Sequence, residues 1–440
     1  MFSANRTQEK NGCLPTWTSD VKISLLNSIT ISLIQAPVWL AMLTLVFSGS
    51  LSDYLGQAAI CFILGTGAAM LITSYCSSWQ GVIWIPQPVP LATLAIITAE
   101  INSSLTGSLS GDTLFITTLA AIALASIATG LTLFLLGYFR LGKLIHLLPY
   151  PLTAGFLGGA GCLLLSGSIT TALGSQLSGI PIYRLDALLH WLPAILLGFL
   201  IFITERKIKH SLLLPMMMVV AIGCFFTSAA IFNLSPAELR VNGWLFEPLP
   251  NNITFTLPSP KQLSAIHWPA INAQTGNIVI LVITSVIAML LFNCGFELSL
   301  HTDTAFDNDS DLRTHGIANI LSGIFGGWPG YISLALSAIN AGEKRQLPLT
   351  GPFSALLSGL LLWYSTYTLE LLPRFAIAAA IAYIGFTFLF SWVIQPAKKL
   401  STVEYTILLL VVLAIVLWGL LKGIAIGLLL VAMHCLTKQV

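Results

Sequence analysis

The stretch IPQPVPLAT, residues 85–93, decides how this chain folds, because it places three prolines within five positions of an apolar segment. Each proline lacks an amide donor and clashes with the preceding helical turn, so a continuous helix cannot run through it. The residue before a proline also favours extended geometry. The sequence therefore predicts extended chain followed by a half-helix that begins near Pro90 or Leu91.

A second broken segment has the same character. Residues 326–333 read GGWPGYIS and lead into an apolar run that ends at Ile339 and Asn340. We predict extended chain followed by a short helix here as well. Non-helical backbone at membrane depth is tolerated only where protein or a water-filled cavity satisfies its polar groups. The two segments therefore predict one binding site built from both.

Composition restricts the class of protein. Of 440 residues, 56% are apolar and 8% are charged, whereas a soluble domain carries about 25% charged residues. A soluble enzyme, a nucleic-acid binder and a disordered chain are therefore excluded. Long unbroken apolar runs also argue against an outer-membrane barrel, whose strands give short alternating segments. An all-α polytopic membrane protein remains.

The apolar runs predict about fourteen transmembrane helices, each of which needs about 20 residues. The two broken segments fall in the third and tenth runs, which correspond if the chain divides into 7+7 inverted repeats. Paired interrupted spans in inverted halves indicate the binding site of a transporter, with the half-helix N-termini favouring a negative group. The runs cover residues 21–47, 55–75, 82–102, 113–138, 148–172, 186–204, 211–234, 277–300, 314–327, 331–341, 351–368, 375–395, 403–419 and 421–437.

The distribution of basic residues predicts the orientation. With the N-terminus inside, roughly three quarters of the 19 Lys and Arg residues fall on the cytoplasmic side, as the positive-inside rule requires. We therefore expect an integral, multi-pass protein of the plasma or inner membrane with both termini cytoplasmic. Residues 235–276 would form a long external loop.

Few ionisable side chains lie within the predicted spans. Glu297, near the end of the eighth span, is a candidate coupling carboxylate for H⁺ or Na⁺, because a membrane-embedded acid is a functional-site hypothesis. The acidic stretch at residues 307–311 lacks the glycine and glutamate of a calcium loop, so we predict a solvated cytoplasmic loop. The seven cysteines show no CxxC spacing, and we expect no metal site, no cofactor and no enzyme activity.

Three stretches of the sequence carry recognisable patterns: LLPYPLTAGFLGG (147–159), LRTHGIANI (312–320), and GWPGY (327–331) with SAIN (337–340). They resemble, in this order, the entry of the fifth helix, the entry of the ninth helix and the tenth helix of the SulP (SLC26-like) anion transporter family. The similarity runs collinearly through essentially the whole chain.

The resemblance implies a fold shared with nucleobase transporters, in which a core domain moves against a gate domain. The core would comprise residues 21–138 and 277–368, and the gate 139–234 and 369–440, after a cytoplasmic tail at 1–20. Family precedent also implies a homodimer in the lipid bilayer, with no nucleic-acid partner.

The chain departs from the family pattern at three places. The family's basic residue in the tenth helix falls on Leu336, and the serine before it on Ala335. The Pro-Gln pair of the first span becomes Pro37-Val38, and no STAS domain is expected after the last span. A fixed positive charge often associated with an anion site is therefore missing, which leaves a divergent branch of the family as the interpretation.

These observations predict a secondary active transporter of a small anion of the sulfate, bicarbonate or dicarboxylate type. It would work by elevator-type alternating access. Symport with H⁺ or Na⁺, in which the protein acts as a symporter, is one form of coupling. Two alternatives stay open: a cationic or zwitterionic solute in the same site, such as an amino acid, and an uncoupled anion channel. The predicted substrate contacts are Gln87, Thr93, Tyr331 and Ser333, with Glu297 as the coupling residue.

Overall fold

A computed structural model of the chain describes residues 17–47, 49–105, 110–143, 149–173, 183–208, 213–245, 257–300, 307–341, 347–364 and 373–438. Fourteen helices of eight or more residues run through these ranges. They are α1 (Trp17–Val46), α2 (Leu55–Cys76), α3 (Pro88–Leu105), α4 (Gly111–Tyr138), α5 (Tyr150–Leu173), α6 (Leu185–Lys207), α7 (Leu213–Ile231), α8 (Thr275–Leu300), α9 (Asn308–Ile324), α10 (Leu334–Ala341), α11 (Thr350–Trp363), α12 (Arg374–Leu389), α13 (Thr402–Trp418) and α14 (Leu420–Lys438).

Helix length and hydropathy confirm the predicted all-α polytopic membrane fold. Within the described ranges, seven helical spans are long and apolar enough to cross a membrane. They lie in α1, α2, α4, α5, α6 and α8, and in α12 together with the helical turns that continue it to Lys398. Shorter apolar helical segments lie in α7, α11, α13 and α14. The helices α3 and α10 each follow an extended segment, and α9 begins with a polar turn.

The two broken segments form a pair of short strands, β1 (Trp84–Pro86) and β2 (Gly330–Ile332). They pair antiparallel, with Trp84 opposite Ile332. The predicted extended chain is therefore confirmed in both places. The first half-helix begins at Pro88, slightly earlier than predicted, because proline is tolerated in the first helical turn, where its missing N–H has no intrahelical partner. The sequence of two helices, a strand and a half-helix occurs in both halves of the chain.

The helices pack in two sets. Helices α1–α4 pack with α8–α11, and we call this set the core group. Helices α5–α7 pack with α12–α14, and we call this set the gate group. The contact between α4 and α9 is backbone to backbone, since a Cβ on Gly130 would lie 2.6 Å from the carbonyl oxygen of Gly316. The exact domain boundaries given from the sequence stay a prediction.

The prediction of a solvated loop at residues 307–311 is wrong. Asp307 caps α9, and the helix has already begun at the next residue. Asp311 is 1% exposed and accepts hydrogen bonds from the Ser77 hydroxyl (2.6 Å), the Ser78 backbone N–H (2.7 Å) and the Ser78 hydroxyl (2.6 Å). The segment between α2 and β1 supplies these donors from more than two hundred residues away, so local composition could not indicate the burial.

Candidate functional site

The start of α10 is fixed at the point where the two strands pair. The backbone N–H of Ser333 donates to the carbonyl of Ile83 (2.8 Å), and the Ser333 hydroxyl accepts from the N–H of Leu336 (3.4 Å). The N–H of Ile83 donates in turn to the Ser337 hydroxyl (2.9 Å). Ser333 is thereby held from both the strand side and the helix side, as a serine that caps a helix.

Gln87 ties the start of the other half-helix to β2. Its Nε2 donates to the carbonyl oxygens of Tyr331 and Ile332, both at 3.3 Å. A carbonyl oxygen can only accept, so these two contacts also define which end of the amide is the nitrogen. Gln87 is 6% exposed. The beginnings of α3 and α10 are therefore joined as one unit.

Asn319 on α9 completes the open edge of β2. Its Nδ2 donates to the carbonyl of Gly330 (2.8 Å), and its Oδ1 accepts from the N–H of the same residue (2.8 Å). Because Ser333 and Ile83 form a hydrogen-bonded pair, the antiparallel alternation makes Gly330 and Pro86 a non-bonded pair. The polar groups of Gly330 therefore point away from β1, and the missing N–H of Pro86 costs the ladder nothing.

Asn340, at the end of the tenth-helix motif, is also a scaffold residue. Its Nδ2 donates to the carbonyls of Gly81 (2.6 Å) and Leu347 (3.2 Å). Its Oδ1 accepts from the Thr350 hydroxyl (2.7 Å). These bonds join the end of α10 to the chain before β1 and to the start of α11, so this part of the motif serves the architecture of the site.

A cavity of about 460 Å³ lies between the two helix groups beside the strand pair. The core group contributes α1, the start of α3, α8 and α10 to its walls, and the gate group contributes α5 and α12. Most of the wall is apolar and aromatic. Residues that line it include Gln35, Gln87, Phe156, Phe292, Ser333 and Phe388.

Of the predicted substrate contacts, Gln87 and Ser333 both lie in the cavity wall. Thr93 is half-buried and lies in the first turns of α3, outside the wall. Tyr331 is fully buried, and it is not a wall residue, although its ring packs 5.4 Å from the ring of the wall residue Phe292. The structure thus brings two of the four side chains together at the cavity. Their roles in binding stay predictions.

Glu297 does not line the cavity. It lies on α8, just over one turn beyond the wall residue Phe292, and its side chain is half-buried. Residues 301–306, which follow this helix in the sequence, lie outside the described residues. The coupling role of Glu297 stays a prediction.

The cavity wall carries no ionisable side chain among the described residues. Leu336, where the family's basic residue falls, is itself a wall residue, as is Ala335. The positive component of the site is therefore restricted to the helix dipoles at the starts of α3 and α10 and to backbone N–H groups of α10, because Pro88 and Pro90 in the first turn of α3 carry no N–H. No group of three or more His, Cys, Asp or Glu residues that could hold a metal occurs in the part of the chain that the structure describes.

The sequence analysis missed the α1 wall of the cavity, which contains Gln35 and Trp39. Gln35 donates from Nε2 to the Ser358 hydroxyl (2.7 Å) and to the carbonyl of Ser354 (3.2 Å). The family's Pro-Gln pair corresponds to Pro37-Val38 in this chain, and the glutamine lies two residues before Pro37. The available signal was an amide side chain within an apolar span.

Two curated relatives are similar to most of this chain. The "Vacuolar basic amino acid transporter VSB1" of Saccharomyces cerevisiae is 25% identical over 328 residues, which cover 72% of this chain and 32% of that protein. The "Putative sulfate transporter YbaR" of Bacillus subtilis is 24% identical over 320 residues, covering 71% of this chain and 61% of that protein. The chain thus spans between about a third and three fifths of these relatives.

A solved structure and a family match agree with this similarity. The transmembrane domain of a cyanobacterium bicarbonate transporter, BicA, superimposes with a TM-score of 0.58 at 18% identity, covering 92% of this chain and 97% of that one. The fold is therefore the same. The Sulfate permease family matches residues 28–411, which is most of the chain. The resemblance found in the sequence is confirmed, and the chain belongs to the Sulfate permease family.

Proposed function

We propose that the protein is a secondary active transporter that carries a small anion through the cavity between the core and gate groups. The observation that carries the proposal is the position of this cavity at the paired starts of α3 and α10. The helix dipoles at the two helix starts, together with backbone N–H groups at the start of α10, favour a negative group between them. Membership of the Sulfate permease family supports transport, and not catalysis, as the activity. The names of the sulfate and bicarbonate relatives support the same activity.

The movement that we propose is an elevator-type displacement of the core group along the gate group. The cavity takes wall residues from both groups, so such a displacement would open it to alternate sides. Phe156 on α5 and Phe292 on α8 face each other across this boundary, with ring centroids 5.6 Å apart. A disulfide between Cys294 on α8 and a cysteine in place of Thr153 on α5, whose hydroxyl lies 3.7 Å from the Cys294 sulfur, would fix the groups together and should abolish uptake reversibly, with recovery on reduction. Undiminished uptake by the oxidised protein would rule out the movement.

We further propose that Glu297 couples transport to H⁺ or Na⁺. The carboxylate is half-buried on α8, the helix that supplies Phe292 to the cavity wall, and a partly desolvated acid can exchange a proton or hold a cation. Glu297→Gln should retain exchange of solute across the membrane but lose uptake driven by an ion gradient. Gradient-driven uptake at the level of the unaltered protein would remove this role.

The orientation and assembly belong to the same proposal. The excess of Lys and Arg on one side supports cytoplasmic termini in a plasma or inner membrane, and family precedent supports a homodimer. In a variant whose seven native cysteines are replaced, cysteines introduced near each terminus should react only with membrane-permeant thiol reagents in intact cells. Labelling by an impermeant reagent would contradict the orientation.

A cationic or zwitterionic solute is the second candidate, and one observation favours it. The cavity wall has Leu336 where the family carries a basic residue, so no fixed cation repels a positively charged group. The name of the yeast relative, a basic amino acid transporter, fits this candidate. An uncoupled anion channel is the third candidate. Saturable counterflow of the solute would identify a carrier, because a channel does not show it.

Uptake into proteoliposomes tests these candidates directly. The panel contains sulfate, bicarbonate, dicarboxylates and basic amino acids, each with imposed proton and sodium gradients. We expect saturable, gradient-dependent uptake of an anion, abolished by Ser333→Trp, which fills the cavity wall. Ala338→Trp is the matched control, because Ala338 is exposed on the same helix. Uptake that survives Ser333→Trp would show that the solute binds elsewhere.

A further inference from the structure

The side chains of the cavity wall offer an anion few hydrogen-bond donors, because most of their protons are already committed. Nε2 of Gln87 donates to two carbonyls of β2, and Nε2 of Gln35 donates to α11. The indole N–H of Trp39 is buried away from the cavity surface. The hydroxyls of Thr170 and Thr171 donate back into α5 (2.9 and 2.7 Å). These five wall side chains therefore leave an anion almost unsolvated.

The polar capacity that remains in the wall matches a single negative charge. Ser333 is 7% exposed; its hydroxyl accepts from the N–H of Leu336 (3.4 Å) and keeps its own proton free of acceptors within the described ranges. Each helix N-terminus is equivalent to roughly half a positive charge, and two half-helices begin beside the cavity. Together their dipoles offset about one negative charge. A dianion such as sulfate would keep much of its charge uncompensated in a poorly hydrated wall.

The rest of the wall is apolar, and the cavity is large. Its volume of about 460 Å³ lies in the range of pockets that enclose organic ligands. An inorganic oxyanion of four or five heavy atoms would leave most of this surface in contact with water, whereas each methylene buried against it strengthens binding about three- to fourfold. The apolar residues that the gate group contributes are Leu163, Leu164, Ile377, Ile381, Ile384 and Phe388.

We propose that the solute is an organic monoanion whose apolar body packs against the gate wall, and not an inorganic dianion. The inference rests on the proposed transport function and names the class of anion that is carried. The negative group of the solute lies at the starts of α3 and α10, where it accepts from the Ser333 hydroxyl, and its carbon chain extends along α5 and α12. Leu336, which stands in the wall where the family carries a basic residue, continues the apolar surface on the core side.

A homologous series of alkyl sulfonates tests the proposal, because every member keeps one negative charge at neutral pH and only the carbon chain grows. Methane-, ethane-, butane- and hexanesulfonate are titrated against the full-length protein in lipid nanodiscs, where no detergent chain competes for the cavity. Sulfate is the inorganic dianion for comparison. Dissociation constants come from the ligand-dependent rise in the apparent Tm. Ser333→Trp, which fills the cavity wall, measures any binding outside the cavity.

We expect the affinity to rise about three- to fourfold with each added methylene until the chain fills the cavity, and butanesulfonate to bind at least about tenfold more tightly than sulfate. Ile381→Thr should weaken the binding of hexanesulfonate about threefold and leave that of methanesulfonate unchanged. Ile169→Thr is the matched control, because Ile169 is also half-buried but lies outside the wall, and it should change neither affinity. Leu164→Gln provides the same test should Ile381→Thr not fold.

Three results would overturn the proposal in a protein that passes the uptake test. They are equal affinities along the series, tighter binding of sulfate than of butanesulfonate, and a chain-length dependence that Ser333→Trp retains in full, which would place the sulfonates on the lipid or on another surface. Failure of every anion to bind, in a preparation that also fails the uptake panel, would instead overturn the proposed transport function, so the two failures are distinguishable.

Discussion

Replacing Asn319 with alanine should loosen β2 and destabilise the protein, because this side chain supplies both hydrogen-bond partners of Gly330 on its open edge. The substitution removes the bonds to the N–H and the carbonyl of Gly330 (2.8 Å each) and one to the carbonyl of His315 (2.8 Å). Gly330 is buried, and each orphaned backbone group costs about 1–3 kcal/mol. The expected loss is therefore about 2–6 kcal/mol, toward the lower end if water enters the vacated space.

The assay combines thermal unfolding in detergent with hydrogen exchange over residues 326–333. Asn319→Ala should lower the apparent Tm by several degrees and remove the protection of the Gly330 amide. Solute affinity should also fall, because Ser333 follows β2 directly. Ser322→Ala is the matched control, since Ser322 lies on the same helix and donates one hydrogen bond, to the carbonyl of Trp328 (2.9 Å). It should cost about 1 kcal/mol and leave solute affinity unchanged.

Full protection of the Gly330 amide in Asn319→Ala would refute the reasoning, even if the apparent Tm fell. It would mean that β2 is held by its pairing with β1 alone. Equal effects of Asn319→Ala and Ser322→Ala on solute affinity would also contradict this reasoning, because only Asn319 of the two bonds to the open edge of β2.

Other changes test the contacts between core helices. Asp311→Ala leaves the Ser77 and Ser78 donors unpaired and should cost about 2–4 kcal/mol in thermal unfolding; an unchanged apparent Tm would contradict this. Gly316→Ala places a Cβ 2.6 Å from the backbone nitrogen of Phe134 and should reduce the yield of monodisperse protein. Gly223→Ala is the control, because nothing lies within 4 Å of a Cβ at that position, and it should not reduce the yield. Equal yields of the two variants would refute the close packing of α4 and α9.

The broken helices could be predicted from the sequence because proline acts locally. The stretch at residues 85–93 forbids a continuous helix whatever surrounds it, and the structure has a strand and a half-helix there. Gln87 and Ser333 could be placed near the site for the same reason, since each immediately follows an extended segment. The long apolar runs were equally local signals, which is why the fold class followed from them.

The remaining parts of the site depend on contacts between distant residues. Asp311 was assigned to a solvated loop because its neighbours are polar, whereas its partners Ser77 and Ser78 come from another part of the chain. Gln35 was passed over because its partners, Ser354 and Ser358, lie on another helix more than three hundred residues away. Three-dimensional packing decides such contacts, and the two amides of the first span do not reveal them locally.

The hydrogen bonds of the site are distributed unevenly between the two helix groups. Those of Gln87, Asn319 and Asn340, together with the Nε2 bonds of Gln35, all join elements of the core group. On the gate side, the walls from α5 and α12 are largely apolar, and the Thr153 hydroxyl makes only a long contact to the sulfur of Cys294 (3.7 Å) on α8. Polar bonds are directional and costly to break when buried, whereas apolar contacts can be exchanged for similar ones. A core group that carries its own polar bonds past an apolar wall can therefore shift without losing them, and this is the arrangement that the proposed elevator movement requires.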